Sequence, residues 1–193
     1  MDLGYRWLTL DDLEHLADID RSEHVDKRFL VTVDGLETRP ADHEIPDWSR
    51  GGDGSQTLAE YVTFCRGHMV AGARGLGCFT HEGRIVGVGV MRLEVEPGVA
   101  QLAYLAVSRP YRRHGVGGAL LDRLVSRAAA LGATEIYVSS APREPAVSFY
   151  HRAGFVVTER SIAELLALEP HDIQMRLSLT AQDAGDRHGP GDA

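Results

Sequence analysis

The stretch that decides the fold runs from residue 102 to residue 121 and reads LAYLAVSRPYRRHGVGGALL. An apolar strand leads into a short basic turn, then into glycines, and then directly into a helix. The first amides of a helix have no partners within it, and the helix macrodipole adds about half a positive charge at that end. Because glycine has no Cβ atom, Gly115, Gly117 and Gly118 let a phosphate approach these amides closely. The turn therefore predicts an anion site, with Arg112 and Arg113 adding positive charge at its rim.

Two common nucleotide-binding motifs differ from this turn at specific residues. A Walker P-loop requires Gly-Lys followed by Ser or Thr, whereas Gly117-Gly118 is followed here by Ala119. A dinucleotide fingerprint requires a third glycine where this chain has Leu120, and an acid at the end of the next strand, where this chain has Ser140. Three ligands could use such a turn, and the two nucleotide interpretations fail at these residues. The third ligand is the pyrophosphate of coenzyme A.

Two motifs in this half of the chain resemble those of the GNAT superfamily of acetyl-CoA-dependent N-acetyltransferases. The first is RRHGVG at residues 112–117, which is similar to the family signature Gln/Arg-x-x-Gly-x-Gly/Ala. The second is AVSFYHRAGF at residues 146–155, which resembles the family's helix ending in Tyr and the Gly-Phe that opens the next strand. The motifs follow each other in the family's order with a strand between them. The resemblance covers roughly Val99 to Glu159.

The resemblance implies a site for acetyl-CoA as cosubstrate. The strands Val99–Val107 and Glu135–Ser140 would splay apart, and pantetheine would lie between them, paired with backbone near Leu105 and Val107. Tyr150 matches the position of the family's usual acid, which protonates the departing thiolate. The cofactor-binding residues implied in this way are Leu105, Ala106, Val107, Arg112, Arg113, His114, Gly115, Val116, Gly117, Gly118, Ser140 and Arg143. Of these, Arg143 stands where the family often has an Asn that contacts the cofactor.

The base that accepts the proton of the acceptor amine is a departure from the family pattern. Some members carry a carboxylate on the strand before the first motif, and the matching residue here is Gln101, which cannot take a proton. The candidates are Glu94 and Glu96 at the end of a hairpin, Glu23 and His24 after the first helix, and a chain of water molecules. We take Glu94 as the catalytic candidate among them.

The predicted function is transfer of an acetyl group from acetyl-CoA to a primary amine of a small molecule or peptide, by direct attack in a ternary complex. The alternative is an acyl-CoA-binding module with the GNAT fold and no transfer activity. The missing carboxylate at Gln101 favours this alternative, and Tyr150 opposes it. The resemblance is also consistent with a homodimer.

The remainder of the chain predicts an α+β fold on one mixed sheet. A capping box at Thr57 opens a helix, and Asp11 is expected to cap a shorter one. The predicted strands are Tyr5–Leu10, Leu76–His81, Arg84–Val95, Val99–Val107, Glu135–Ser140, Phe155–Glu159 and Asp172–Leu179, with helices at Gly115–Leu131 and Glu144–Arg152. Together with the resemblance, this order implies a three-layer GNAT-like fold. Its mostly antiparallel, twisted sheet would have about seven strands, splay between the fourth and fifth, and carry flanking helices.

Two segments lack a clear periodicity. Between Arg21 and Gly54, turns are marked by Pro40 and Pro46, and a stretch of this length is typical of a lid or binding loop. We expect residues 21–54 to form the acceptor-side loop or lid of a single domain spanning residues 1–180. The polar and glycine-rich residues 181–193 are expected to form a flexible tail.

Composition excludes several classes of protein. The net charge of −8 argues against binding to nucleic acid or to an anionic membrane surface, since both require basic surface. The N-terminus has no basic region followed by an apolar one, and no apolar run is long enough to span a membrane. Cys65 and Cys78 fit a reducing compartment, and no group of His and Cys residues has metal-ligand spacing. We therefore expect a cytoplasmic protein without a metal.

Overall fold

The computed structural model describes residues 2–32, 35–48 and 57–179. Its helices are α1 (Leu58–Val70), α2 (Val116–Ala130), α3 (Glu144–Arg152) and α4 (Ala163–Leu168), and a 3₁₀ helix spans Asp11–Asp18. Its strands are β1 (Leu3–Trp7), β2 (Glu23–Thr32), β3 (Gly35–Ile45), β4 (Arg74–Thr80), β5 (Ile85–Glu96), β6 (Val99–Val107), β7 (Glu135–Ser140), β8 (Val156–Val157) and β9 (Ile173–Ser178).

One seven-stranded sheet organises the chain, in the order β1-β4-β5-β6-β7-β9-β8. Neighbouring strands are antiparallel except for β6 and β7, which are parallel. That parallel pair joins only Val99–Gln101 to Glu135–Tyr137, so the fourth and fifth strands of the sheet separate beyond Gln101. The predicted mixed sheet, with its splay between the fourth and fifth strands, is confirmed.

Helices cover both faces of this sheet. One apolar cluster packs α2 and α3 against β4–β7 and β9, and a second packs α1 and the 3₁₀ helix against β4 and β5. Two glycines of β5 admit α2 to close contact, because a Cβ at Gly87 would lie 3.0 Å from Leu120 Cδ1 and one at Gly89 would lie 2.5 Å from Leu124 Cδ1. The backbone of β5 is therefore in close contact with α2 at these two glycines.

Residues 23–45 differ most from the sequence prediction. Instead of an irregular segment, β2 and β3 form a separate antiparallel hairpin, with a register shift between Val25 and Lys27. Most of its side chains are exposed on both faces, so the polar and apolar alternation that reveals a half-buried strand is missing. The hairpin is held by tertiary contacts, including the hydrogen bond from Phe29 N to Pro142 O at 2.8 Å.

Several smaller predictions are confirmed or corrected. Thr57 and Glu60 form the expected capping box at the start of α1. Asp11 makes no side-chain cap; the neighbouring Asp12 instead accepts hydrogen bonds from Thr9 and Arg6. Helix α4 was not predicted from the sequence, and the strand expected at Phe155–Glu159 is limited to β8. The tail predicted at 181–193 lies outside the described residues.

None of the helices in the described ranges combines the length and apolarity that crossing a membrane requires.

Candidate active site

The candidate site lies where β6 and β7 separate. A cavity of about 740 Å³ opens between them, within the size range of small-molecule sites. Its walls include β6 from Leu102 onward, the end of β7, the glycine turn at residues 112–118 and the helix α3. The splay therefore creates the cavity, because strands that no longer pair leave room between their backbones.

The glycine turn presents unpaired amides to this cavity. Gly115 is the N-cap of α2, has φ of 82° and makes no side-chain cap. Arg113 also adopts positive φ, at 65°. The first intrahelical bond runs from Ala119 N to Gly115 O at 2.9 Å, so the preceding amides of the turn have no acceptor within the helix. This end of α2 can bind an anion through backbone N–H groups.

The two glycines inside α2 keep the entrance to these amides open. A Cβ added at Gly117 would lie 3.3 Å from Phe149 Cε2 and 3.7 Å from Val107 Cγ2, which means that it would occupy the gap between β6 and α3. A Cβ at Gly118 would meet nothing within 4 Å. The Val116 side chain points the other way and is buried in the core, so only its backbone is available to a ligand in the cavity.

Arg112, predicted to add charge at the rim, lines the cavity with its guanidinium engaged by the protein, and His114, predicted to bind the cofactor, lies outside the cavity wall. The Arg112 guanidinium turns inward, with Nε donating to Val107 O at 2.9 Å and Nη1 to Ser22 O at 3.0 Å. It therefore fastens the glycine turn to the segment before β2. His114 is exposed, hydrogen-bonds Arg112 O through Nδ1 at 2.8 Å and does not line the cavity.

Glu23 forms ion pairs with residues that follow each of the two separating strands, β6 and β7. Its Oε1 lies 3.4 Å from Arg112 Nη1, after β6, and its Oε2 lies 3.0 Å from Arg143 Nη1, after β7. Arg143, the residue that departs from the family's Asn, therefore reaches across to β2. All three residues line the cavity. The Glu23 carboxylate is therefore already paired with two guanidinium groups.

Tyr150 lies in the last turn of α3 and lines the cavity with 8% of its surface exposed. Its ring packs edge-on against Phe149 and Phe155. Burial raises the pKa of its hydroxyl above the ordinary value, opposed by Arg143 and reinforced by Asp172. Within the described part of the chain no side chain or backbone group hydrogen-bonds this hydroxyl, so a protonated donor faces the cavity.

Asp172 is a carboxylate at the site that was not among the residues predicted from the sequence. It lies immediately before β9, lines the cavity and is half-buried. Burial raises the pKa of its carboxyl, against the opposing charge of Arg143. Glu169 lies nearby on the same wall but is exposed. Only the fold brings this turn beside Tyr150, and no local motif marks it in the sequence.

The base candidates from the sequence, apart from Glu23, are not brought to the cavity. Glu94 is exposed on β5 and is absent from the cavity wall, and Glu96 pairs with Arg176 at 3.2 Å. His24 is exposed and contacts Glu44 at 2.7 Å.

Most of the expected cofactor-binding residues do meet at the cavity. Those that line it are Leu105, Ala106, Val107, Arg112, Arg113, Gly115, Gly117, Gly118, Ser140 and Arg143. Among the described residues, no group of three or more His, Cys, Asp or Glu side chains is arranged to hold a metal ion.

Solved structures of similar fold support this architecture. A nourseothricin acetyltransferase superposes with a TM-score of 0.68 at 19% sequence identity, covering 93% of this chain and 100% of that one. A putative streptothricin acetyltransferase from Bacillus anthracis, solved in complex with acetyl coenzyme A, gives a TM-score of 0.67 at 20% identity, with 93% and 100% coverage. The fold is that of the GNAT acetyltransferases.

The sequence comparison defines the family. Residues 41–155 match the acetyltransferase (GNAT) family, and the chain belongs to it. A mycothiol acetyltransferase from Thermobifida fusca is 38% identical over 89 residues, which is 43% of this chain and 26% of that protein. The chain therefore matches only about a quarter of the length of this relative.

Proposed function

We propose that this chain is an N-acetyltransferase that moves an acetyl group from acetyl-CoA to a primary amine of a small molecule or peptide. The observation that carries the proposal is the set of unpaired amides at the start of α2, which open onto the cavity between β6 and β7. Membership of the GNAT family supports it, as does the neighbour of similar fold solved with acetyl coenzyme A.

The cofactor would use backbone groups along its length. The amides of residues 113–118 would bind the pyrophosphate, as helix N-termini bind phosphate groups elsewhere. Beyond Gln101, none of the described strands pairs with the edge of β6 that faces β7, although β5 still pairs with the other edge as far as Val107. The amides of pantetheine would pair with this free edge near Leu105 and Val107 in the manner of an added strand.

Transfer requires a neutral amine. If the pKa of the acceptor resembles that of lysine, about 10.4, removing its proton at pH 7 costs about 4–5 kcal/mol. In place of Glu94, the cavity supplies Asp172 as the proton acceptor, directly or through water, since a carboxylate with a raised pKa is a stronger base. The amine nitrogen then forms a bond to the acetyl carbon and the carbon–sulfur bond breaks.

The departing thiolate takes a proton from Tyr150. A free thiol has a pKa of about 8.5, below the raised pKa of Tyr150, so this transfer is uphill by itself and is completed by reprotonation of the tyrosine. Tyr150 suits this role because its hydroxyl is protonated, buried and unpaired at the cavity wall. Water or the proton released from the amine then restores the hydroxyl.

The test is a screen of amine acceptors that follows release of the coenzyme A thiol. Purified protein is incubated with acetyl-CoA and with polyamines, amino acids, peptides or aminoglycosides, each checked for the acetylated product by mass spectrometry. We expect product with at least one acceptor class and none without protein. A folded protein that binds acetyl-CoA but acetylates no amine would instead be the acyl-CoA-binding module named as the alternative.

A further inference from the structure

Arg21 lies at the cavity wall in a frame of aromatic rings. It follows the 3₁₀ helix and lines the cavity, and its Cζ lies 4.7 Å from the Trp48 ring centroid and 4.1 Å from that of Tyr61. Its Nη2 donates to Tyr61 Oη at 3.1 Å. Asp47 accepts a hydrogen bond from the Arg21 backbone N at 2.7 Å, which fixes the main chain below the side chain. Rings therefore orient this guanidinium at the cavity.

The positive charge of Arg21 is not neutralised by any of the residues that the structure describes. In residues 2–32, 35–48 and 57–179, no carboxylate forms an ion pair with its guanidinium, whereas Arg112 and Arg143 in the same cavity both contact Glu23. An arginine carries five N–H donors, and one of those of Arg21 has an acceptor among the described residues. The remaining donors are available to a ligand.

A second unpaired donor adjoins the same rings. The Tyr104 hydroxyl is buried and has no hydrogen-bond partner among the described residues, and its ring lies 5.0 Å from that of Tyr61. Burial raises the pKa of this hydroxyl, so it is present as an O–H donor. Buried polar groups normally have partners, and one left without at a cavity wall indicates a ligand or water that completes it.

Arg21 and the rings of Trp48, Tyr61 and Tyr104, together called the Arg21 frame, lie apart from the expected cofactor site. Tyr104 packs with the apolar cluster of α1, whereas Leu105 and Val107 pack with the cluster of α2, at whose start the glycine turn lies. Arg21 therefore lies on the α1 face of β6, and the glycine turn on the other. A ligand at Arg21 is then the acceptor and not the diphosphate.

We propose that Arg21 determines acceptor specificity by binding a carboxylate that the acceptor carries in addition to its amine. Guanidinium and carboxylate match in planar, two-pronged geometry, and ring stacking holds the guanidinium ready for it. A carboxylate is favoured over a phosphate because its single negative charge matches the one guanidinium of Arg21, and because Asp172 on the same cavity wall disfavours a dianion. The exposed acids of the hairpin, such as Asp42 and Glu44, do not line the cavity. The preferred acceptor is therefore an amino acid or a similar amino carboxylate, and this inference rests on the proposed transfer of an acetyl group.

The experiment compares matched acceptors that differ only at the carboxylate. Amino acids and their carboxamides are assayed for kcat and KM with the wild type, Arg21→Met, Arg21→Lys and the control Arg66→Met. Arg66 belongs to α1 and lies outside the cavity lining, so its substitution should change nothing. Acetyl-CoA affinity and melting temperature are measured for each variant, to show that it is folded and loads the cosubstrate.

We expect the wild type to prefer the carboxylate acceptor by about ten- to a hundredfold in kcat/KM, mainly through KM. Arg21→Met should reduce this ratio to near one, and Arg21→Lys should leave an intermediate ratio, since the charge remains without the planar pair of donors. Equal use of both acceptors by the wild type, or an unchanged ratio in folded Arg21→Met, would overturn the assignment of Arg21 and leave acetyl transfer intact. Transfer to no amine at all would overturn both.

Discussion

The glycine turn and the Arg21 frame lie on opposite faces of β6 and are built in different ways. The turn presents consecutive backbone amides from one stretch, residues 113–118. The frame assembles side chains from separate segments: Arg21 before β2, Trp48 after β3, Tyr61 in α1 and Tyr104 in β6. The contrast teaches that a site made from backbone has a local signature in the sequence, whereas one made from side chains needs the fold to assemble it.

Substitution of Tyr150 tests whether the rate of acetyl transfer can be lowered without a loss of acetyl-CoA affinity. We expect Tyr150→Phe to lower kcat about ten- to a thousandfold while acetyl-CoA affinity is retained, because only the proton donor for the thiolate is removed. Tyr5→Phe, which removes a hydroxyl from β1 outside the cavity, is the matched control. Steady-state rates across the pH range, with calorimetric titration of acetyl-CoA, provide the measurement. Unchanged turnover at every pH would rule Tyr150 out as the acid.

Substitutions of Gly117 test whether the glycine turn binds the diphosphate of acetyl-CoA. Gly117→Asp sets a negative charge and added bulk in the gap between β6 and α3, and it should weaken acetyl-CoA binding by at least about 2 kcal/mol, or about thirtyfold. Gly117→Ala adds only a methyl group and should have a smaller effect. Gly67→Asp makes the same exchange in α1, outside the cavity, and should bind normally. If folded Gly117→Asp bound acetyl-CoA as tightly as the wild type, the diphosphate would lie elsewhere.

The pH dependence of turnover tests whether Asp172 accepts the proton of the acceptor amine. Because burial raises the pKa of its carboxyl, the base form is lost at a higher pH than for an ordinary aspartate, near 3.9. We expect turnover to rise as pH increases through that raised pKa. Asp172→Asn should lower kcat about tenfold, since water replaces the base, and should remove this limb of the profile. A profile that keeps the limb in the variant would exclude Asp172.

The thermal stability of Asp172→Asn independently checks that the pKa of the Asp172 carboxyl is raised, and not lowered, in the folded protein. A carboxyl whose folded-state pKa is raised favours folding below the unfolded value, near 3.9, and this contribution is lost as pH rises through the folded-state pKa. Asp172→Asn should therefore raise the melting temperature relative to the wild type at pH 7. The difference should vanish near pH 4.

The sequence predicted the parts of the molecule that local patterns encode. The strand Val99–Val107, the helix after Gly115 and the capping box at Thr57 each leave a mark within a few residues, and all three are found in the structure. The hairpin β2–β3 was missed because its side chains are exposed on both faces and therefore show no alternation.

At the candidate site, the same distinction decides what could be foreseen. Arg112 was expected at the rim because it belongs to the motif, but its guanidinium turns toward Ser22 and Glu23, which lie far away in sequence. Asp172 reaches the cavity only because β9 pairs with β7. No pattern within a single segment contains such information.

The most direct test of the central claim is calorimetric titration of the wild type with acetyl-CoA and with acetyl-pantetheine, which lacks the diphosphate. The account predicts that binding of acetyl-CoA releases heat and raises the melting temperature. Acetyl-pantetheine should bind far more weakly, because it has no diphosphate to accept hydrogen bonds from the amides of the glycine turn. A folded protein that gives neither heat nor a melting shift with acetyl-CoA would contradict it. Equal affinity for both ligands would do so too.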